Sequence, residues 1–411
     1  MLARTIQLYR NAYHGLSREI WLLSLMMLIN RSGTMVLPFL TLYLTSELEF
    51  SLTQAAWVMS SFGVGSILGS FLGGRLTDKI GAFQVMFWSL FLSLFGFISL
   101  IWVSSFYGVC AMILVASVIA ESYRPASFAA IVVCCAPEDR TRGIALIRVA
   151  INLGMAIGPA IGGFIAVSLG FRYLFIIDGM TCCLAALFLK VIFSSYMKRK
   201  PARSKASESE NENRTTPIDA ALLPYQDRFY LFFLLLVFLN AFAFFQIFAT
   251  EPVFLRNEFR FDERQIGLLF AFNCLLIVAL EMPLIYMLEK YLSKVQIVIG
   301  GTFLIGWAYV LLVWLPAGWW AAIISMFFLS VGEMTSLPFL STMALNRGND
   351  QNRGRYMAMF TATYSISHIV APNMGLQMAE HLGFNAMWHM IFGFSLFACL
   401  GFVLMQRMKW K

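Results

Sequence analysis

LFFLLLVFLNAFAFFQIF, the stretch from Leu231 to Phe248, contains no charged side chain. A helix rising 1.5 Å per residue needs roughly 20 mainly apolar residues to cross the hydrocarbon core of a bilayer, and this run is close to that length. Val85–Val103 and Ile297–Leu315 have the same character. Strands of a membrane barrel would alternate apolar and polar residues over about 10 positions, whereas these runs are apolar on every side and are therefore expected to be helices. Of the 411 residues, 59% are hydrophobic and 13% charged, and the mean hydropathy is +0.74. A soluble chain could not hide that much apolar surface in its own interior. The reading is an all-α polytopic membrane protein.

Arg4, Arg10 and Arg18 precede the first apolar segment, but no small-residue cleavage site follows a short apolar core, so the first span is expected to be retained. The seven cysteines, including the pairs Cys134/Cys135 and Cys182/Cys183, lie in or at the ends of apolar segments. They indicate neither a disulfide framework nor a zinc site. The net charge of +8 is distributed in a pattern that points to a membrane and away from nucleic acid. Lys and Arg gather in the N-terminus, at Arg75 and Lys79, at Arg140 and Arg142, from Lys198 to Lys205, at Lys290 and Lys294, from Arg347 to Arg355, and from Arg407 to Lys411. Those are alternate loops of a twelve-span arrangement, and the positive-inside rule then places both termini in the cytoplasm.

Residues 196–226 form one long polar stretch rich in Lys, Ser, Glu and Asn, too hydrophilic to span and too poor in apolar residues to fold alone. They are expected to be a cytoplasmic linker between an N-terminal half, 1–195, and a C-terminal half, 227–411. The glycosylation-like triplet at Asn213 falls on that cytoplasmic side and is read as chance. The halves repeat one another, as expected of a duplicated transporter. Gly158-Pro159 aligns with Ala371-Pro372 (372 − 159 = 213), and Leu169-Gly170-Phe171 with Leu382-Gly383-Phe384 (382 − 169 = 213). Glu121 followed by Pro125 aligns with Glu333 followed by Pro338 (333 − 121 = 212), and Phe50-Ser51 with Gln54 aligns with Phe261-Asp262 with Gln265 (265 − 54 = 211).

Gly73-Gly74-Arg75-Leu76-Thr77-Asp78-Lys79-Ile80-Gly81 sits between the second and third spans, where glycines permit a tight turn and the charges stay hydrated. In the fifth span, Gly154, Gly158, Pro159, Gly162 and Gly163 put small residues on one helical face and remove a backbone donor, so the helix can pack closely and bend. The first pattern closely resembles the signature loop of the major facilitator superfamily, and the second resembles that superfamily's fifth-helix antiporter motif. Asn30-Arg31-Ser32-Gly33-Thr34 with Leu37-Pro38-Phe39, and Val331-Gly332-Glu333 with Pro338, are similar to the bacterial multidrug- and dipeptide-exporter branch of the drug/proton antiporters. The resemblance covers nearly the whole chain except the central linker. It implies twelve spans in two pseudo-symmetric six-helix halves. It also implies a conformational latch at Gly74, Asp78, Lys79 and Gly81 with Arg142 as a partner, and a bacterial inner-membrane location.

Ionisable groups at membrane depth are costly and so mark function. The candidates are Arg31, Glu121, Arg124, Arg148, Asp178, Glu251, Glu281, Glu333 and His368. Glu121 and Arg124 are three apart and can pair on one helix face. An Arg at this place resembles the fourth-span Arg that, in proton antiporters, sets a carboxylate's proton affinity. The resemblance also implies that the fourth and tenth spans line the central cavity, which makes Glu333 the first candidate for proton binding or for recognising a cationic substrate. Arg31 either neutralises Glu333 or Glu121 or binds an anionic group such as a peptide carboxylate; both readings stay open. Arg148 and Asp178 are placed near the cytoplasmic and exterior ends, where interfacial hydration is cheap. Glu281 lies deeper, Glu251 nearer the exterior, and His368 reads as packing.

The chain contains no GxSxG, HExxH or nucleotide-binding loop and only four histidines, so an enzyme, a metal site, an ATP-driven pump and any bound cofactor are not expected. The expected activity is secondary transport of a small molecule by a monomer, with the proton as coupling ion, exporting lipophilic or cationic drugs or small peptides. The alternatives are a proton-coupled uptake symporter for a nutrient or peptide, and a non-transporting membrane receptor.

Overall fold

The computed structural model describes residues 16–135, 140–194, 224–347 and 353–408; the expected linker falls largely outside them. Among the described residues every regular element is helical. In the first half these are α1 (Arg18–Ser32), α2 (Val36–Ser46), α3 (Leu52–Ile80), α4 (Ala82–Ser99), α5 (Phe106–Glu121), α6 (Tyr123–Cys134), α7 (Arg140–Leu169) and α8 (Arg172–Ile192). In the second they are α9 (Arg228–Phe244), α10 (Gln246–Asn257), α11 (Glu263–Tyr291), α12 (Lys294–Trp314), α13 (Trp319–Arg347), α14 (Arg353–Leu382) and α15 (Phe384–Arg407). Among the described residues eleven spans are long and apolar enough to cross a bilayer. α14, a less apolar helix of 30 residues, occupies the place of the eleventh span of twelve.

Among the described residues three spans are broken, and two of the breaks have a local cause. The first span stops at Ser32 and restarts at Val36 across Gly33. The seventh stops at Phe244, with Phe245 between α9 and α10; the two capping positions are 212 apart (245 − 33), in register with the repeat. The fourth breaks at Ser122. Pro125 has no N–H for the carbonyl of Glu121, and Ser122 Oγ turns back to the Val118 carbonyl at 2.7 Å and across to that of Gly69 at 3.0 Å.

The repeated sequence landmarks have the same local structure in both halves. Ser51 and Gln54 exchange side-chain to backbone hydrogen bonds of 3.0 and 3.2 Å at the start of α3, and Asp262 and Gln265 do so at the start of α11, both at 2.9 Å. Both are capping boxes that satisfy two orphan N–H groups of a helix start. Gly170 and Gly383 end their helices at φ 96° and 82°, a conformation that a side chain would strain.

The chain forms two compact units, and Leu37–Gly63 belongs to the C-terminal one. Within the N-terminal unit, Ile20, Leu23, Met26, Phe83, Met86, Ala126, Ala130 and Leu189 form a dry core. In the C-terminal unit Tyr230, Phe233, Val298, Leu340, Met343 and Phe402 do the same. Outside these cores, large apolar residues such as Phe71, Trp88, Phe95, Leu184 and Leu400 are exposed along whole helices, as suits lipid-facing surface.

Candidate functional site

In the N-terminal unit the site is built around the break in the first span. Gly33 leaves the first N–H groups of α2 without intrahelical acceptors, and Asp178 of α8 supplies one: its Oδ2 accepts from Met35 N at 3.3 Å and from Val36 N at 3.2 Å. Asp178 is only 4% exposed. That corrects its placement at a hydrated exterior end, because a carboxylate capping two buried N–H groups is shielded by the helix it caps. Arg31, in the last turn of α1, is half-buried and lies within electrostatic range of Asp178, Tyr123 and Cys182. Asn30 donates to Cys182 Sγ at 3.5 Å.

The fifth-span glycines pack against this same break. A Cβ on Gly154 would fall 2.5 Å from Arg31 Cβ, and one on Gly158 would fall 2.9 Å from the Thr34 carbonyl oxygen. Only glycine lets α7 come this close to the backbone carrying Arg31. Gly162 and Gly163 are buried further along α7, beyond Pro159.

Glu121 and Arg124 come together at 4.0 Å across the break in the fourth span, with the Arg124 side chain 65% exposed. Such a pair is held loosely. Arg148 is exposed.

The signature stretch departs from its expected form. Helix α3 runs on through Ile80, with Thr77 Oγ1 bonded to the Gly73 carbonyl at 2.7 Å, so the turn is the single residue Gly81 at φ 94°. Gly74 is helical with nothing within 4 Å of its Cβ position, and Asp78 and Lys79 are exposed. Arg142 belongs to α7, and its side chain lies outside the described residues.

In the C-terminal unit, Glu333 is half-buried on α13, and its Oε2 accepts from Asn273 Nδ2 of α11 at 3.3 Å. The same amide donates to Ser330 Oγ at 2.9 Å. The Asn273 amide thus ties Glu333 to α11. Glu281 is half-buried two turns further along α11. His368 packs its ring on Phe245 at 4.6 Å and edge-on to Phe62 at 5.7 Å, which is the packing role read from the sequence.

Sequence reasoning undervalued two groups here. Glu251 of α10 is 2% exposed, far drier than its nominal position near the exterior suggests. Asp227, which escaped notice, caps α9 through Tyr230 N at 3.0 Å and is forked by Arg347 at 2.8 and 3.2 Å, with Tyr356 Oη at 3.2 Å. Burial works to raise the Asp227 carboxyl, but the hydrogen bonds from Arg347 and Tyr230 N outweigh it, so the group sits below the usual aspartate range. Its only sequence signal was an acid immediately before an apolar run.

The Major Facilitator Superfamily pattern matches residues 20–372 and, in a second match, 233–409. The chain belongs to that superfamily. As a member it is a multi-pass membrane transporter. It is 25% identical over 377 residues to the MFS-type transporter YttB of Bacillus subtilis, covering 90% of each chain. It is 22% identical over 402 residues to a Na(+), Li(+), K(+)/H(+) antiporter of Planococcus maritimus, covering 91% of this chain and 92% of that one. Over 181 residues it is 27% identical to the multidrug resistance protein MdtG of Proteus mirabilis, 43% of this chain and 44% of that protein. The fold matches that of the POT family transporter PepTSo with a TM-score of 0.76 at 14% identity, over 95% of this chain and 98% of that one.

Proposed function

We propose that this superfamily member is a proton-coupled antiporter that exports lipophilic or cationic drugs or small peptides by alternating access of its two six-helix halves. The observation that carries the reading is the close packing of Gly154 and Gly158 against the first-span break that bears Arg31. A hinge-like joint beside a charged group is a place where helix movement and charge binding can act on each other. Glu333, facing a neutral amide, is the proposed coupling carboxyl. A carboxyl there can be loaded when dry and released when hydrated or approached by a cation. Glu121 with Arg124, Arg31 and Glu281 would form the rest of the binding and coupling set, and Gly74, Asp78, Lys79, Gly81 and Arg142 the latch. The similarity to a cation/proton antiporter and to a multidrug resistance protein supports antiport over uptake. The protein would work as a monomer in the bacterial inner membrane, with both termini cytoplasmic and no cofactor beyond the coupled proton.

The test is substrate-driven proton movement in proteoliposomes holding a lumenal pH dye, across a panel of lipophilic cations and dipeptides. Proton flux opposed to substrate flux is the expected result. Co-directional flux would establish symport and end this reading.

A further inference from the structure

Buried polar atoms in folded proteins nearly always have partners, and those that do not call for an explanation. In the C-terminal unit three such atoms, from three different spans, lie in one aromatic cluster. Glu251 Oε2 on α10 and Trp388 Nε1 on α15 are shielded from solvent with no hydrogen-bond partner; the Tyr309 hydroxyl on α12 has the Ile247 N–H directed at it but no acceptor for its own proton, and Tyr309 and Trp388 are each 0% exposed. They belong to one cluster. The Tyr309 and Trp388 rings stack at 4.5 Å and 6°, Phe254 of α10 meets Trp388 at 5.7 Å, and Glu251 acts electrostatically on Tyr309. Glu333 acts on Tyr309 as well, so the tyrosine lies within range of both carboxyls.

An ionised carboxylate left in this environment would cost several kcal/mol, whereas a neutral acid costs far less. The arrangement seen here fits a protonated Glu251. On ionisation the carboxylate needs donors, and two unused ones lie in its own cluster. The indole N–H can only donate, which suits a carboxylate and not a metal cation. Of the other charged or titratable groups around α10, Arg256 is engaged with Glu263 and His368 is packed against Phe245.

We propose that Glu251 is a second proton-binding site, whose ionised form is received by Tyr309 and Trp388 and which communicates with Glu333 through the Tyr309 hydroxyl. The proton enters from water and returns to it as Glu251 alternates between a neutral, unpartnered acid and a doubly hydrogen-bonded carboxylate. This deepens the proton-coupling reading and rests on it. Its test, however, reads the side chain directly without transport, so the two can fail separately.

The experiment is pH-difference infrared spectroscopy of the full chain in liposomes, comparing wild type, Glu251→Gln and Tyr309→Phe. Gln matches the neutral acid in shape, so the variant should fold. The expected result is a titrating carboxylic-acid C=O band in wild type that disappears in Glu251→Gln. Tyr309→Phe should displace the band's midpoint by about tenfold in proton affinity, because the carboxylate loses a donor. Labelling of wild type by a lipophilic carbodiimide, located at Glu251 by mass spectrometry and diminishing as pH rises, provides a readout free of substitutions. An unchanged band in Glu251→Gln, absence of label at Glu251, or a midpoint unmoved in Tyr309→Phe would overturn the proposal. A band that responds to sodium at fixed pH would overturn it in favour of a cation site.

Discussion

Two buried acids, one in each unit, have opposite fates. Asp178 is tied to two backbone N–H groups at the restart of the first span. Glu251, a few residues past the break of the seventh, has a carboxylate oxygen with no partner. Both are almost fully shielded, at 4% and 2% exposure. Burial alone therefore does not mark a functional acid. An acid that fixed backbone donors hold through one oxygen serves as a structural cap, while one that is left unengaged is free to exchange a proton.

This contrast can be broken by substitution. Asp178→Ala removes the side-chain acceptor of the buried Val36 N–H and one of the two acceptors of Met35 N–H, and should cost roughly 1–3 kcal/mol, read as a lower midpoint of thermal unfolding in detergent. Asp178→Asn keeps an acceptor oxygen and should recover at least half of that loss, whereas Glu251→Gln should leave the midpoint close to wild type. Equal sensitivity at the two positions would erase the distinction.

A smaller effect is expected at the joint that Asp178 helps to hold. The added methyl of Gly154→Ala meets Arg31 Cβ at 2.5 Å, an overpacking cost of about 1–3 kcal/mol. Transport should slow more than stability falls if the joint moves during the cycle. Rates and unfolding midpoints measured on the same preparation separate the two effects.

The smallest effect is confined to acid. Because Arg347 and the Tyr230 N–H hold Asp227 below its ordinary range, the stability it contributes is complete above the unfolded aspartate value of about 3.9 and is lost as pH falls through the lower folded value. Between pH 5 and pH 3, wild type should lose unfolding temperature faster than Asp227→Asn. Parallel curves would mean that the Arg347 fork does not stabilise the ionised form.

Much of the fold was readable from local sequence because the deciding interactions are local. Ser51 with Gln54, and Asp262 with Gln265, are capping boxes within four residues. Gly170 and Gly383 end helices by their own conformational freedom. What escaped is tertiary. The side-chain acceptor for Val36 N lies 142 residues away on α8, and the cluster around Glu251 is assembled from three spans. The seventh-span break falls at Phe245, with neither glycine nor proline at the site; Pro252 relieves only the carbonyl of Phe248. The signature stretch was misread as a loop because its glycines and charges look turn-like, while Thr77 and its neighbours continue the helix as far as Gly81.

The most direct test of the central claim compares substrate exchange with proton-driven transport in proteoliposomes of wild type and Glu333→Gln. The account predicts that the variant still exchanges labelled for unlabelled substrate at equal pH on both sides, but no longer accumulates substrate against its gradient when a pH difference is imposed. Accumulation at the wild-type level in Glu333→Gln would contradict it and move coupling to another carboxyl.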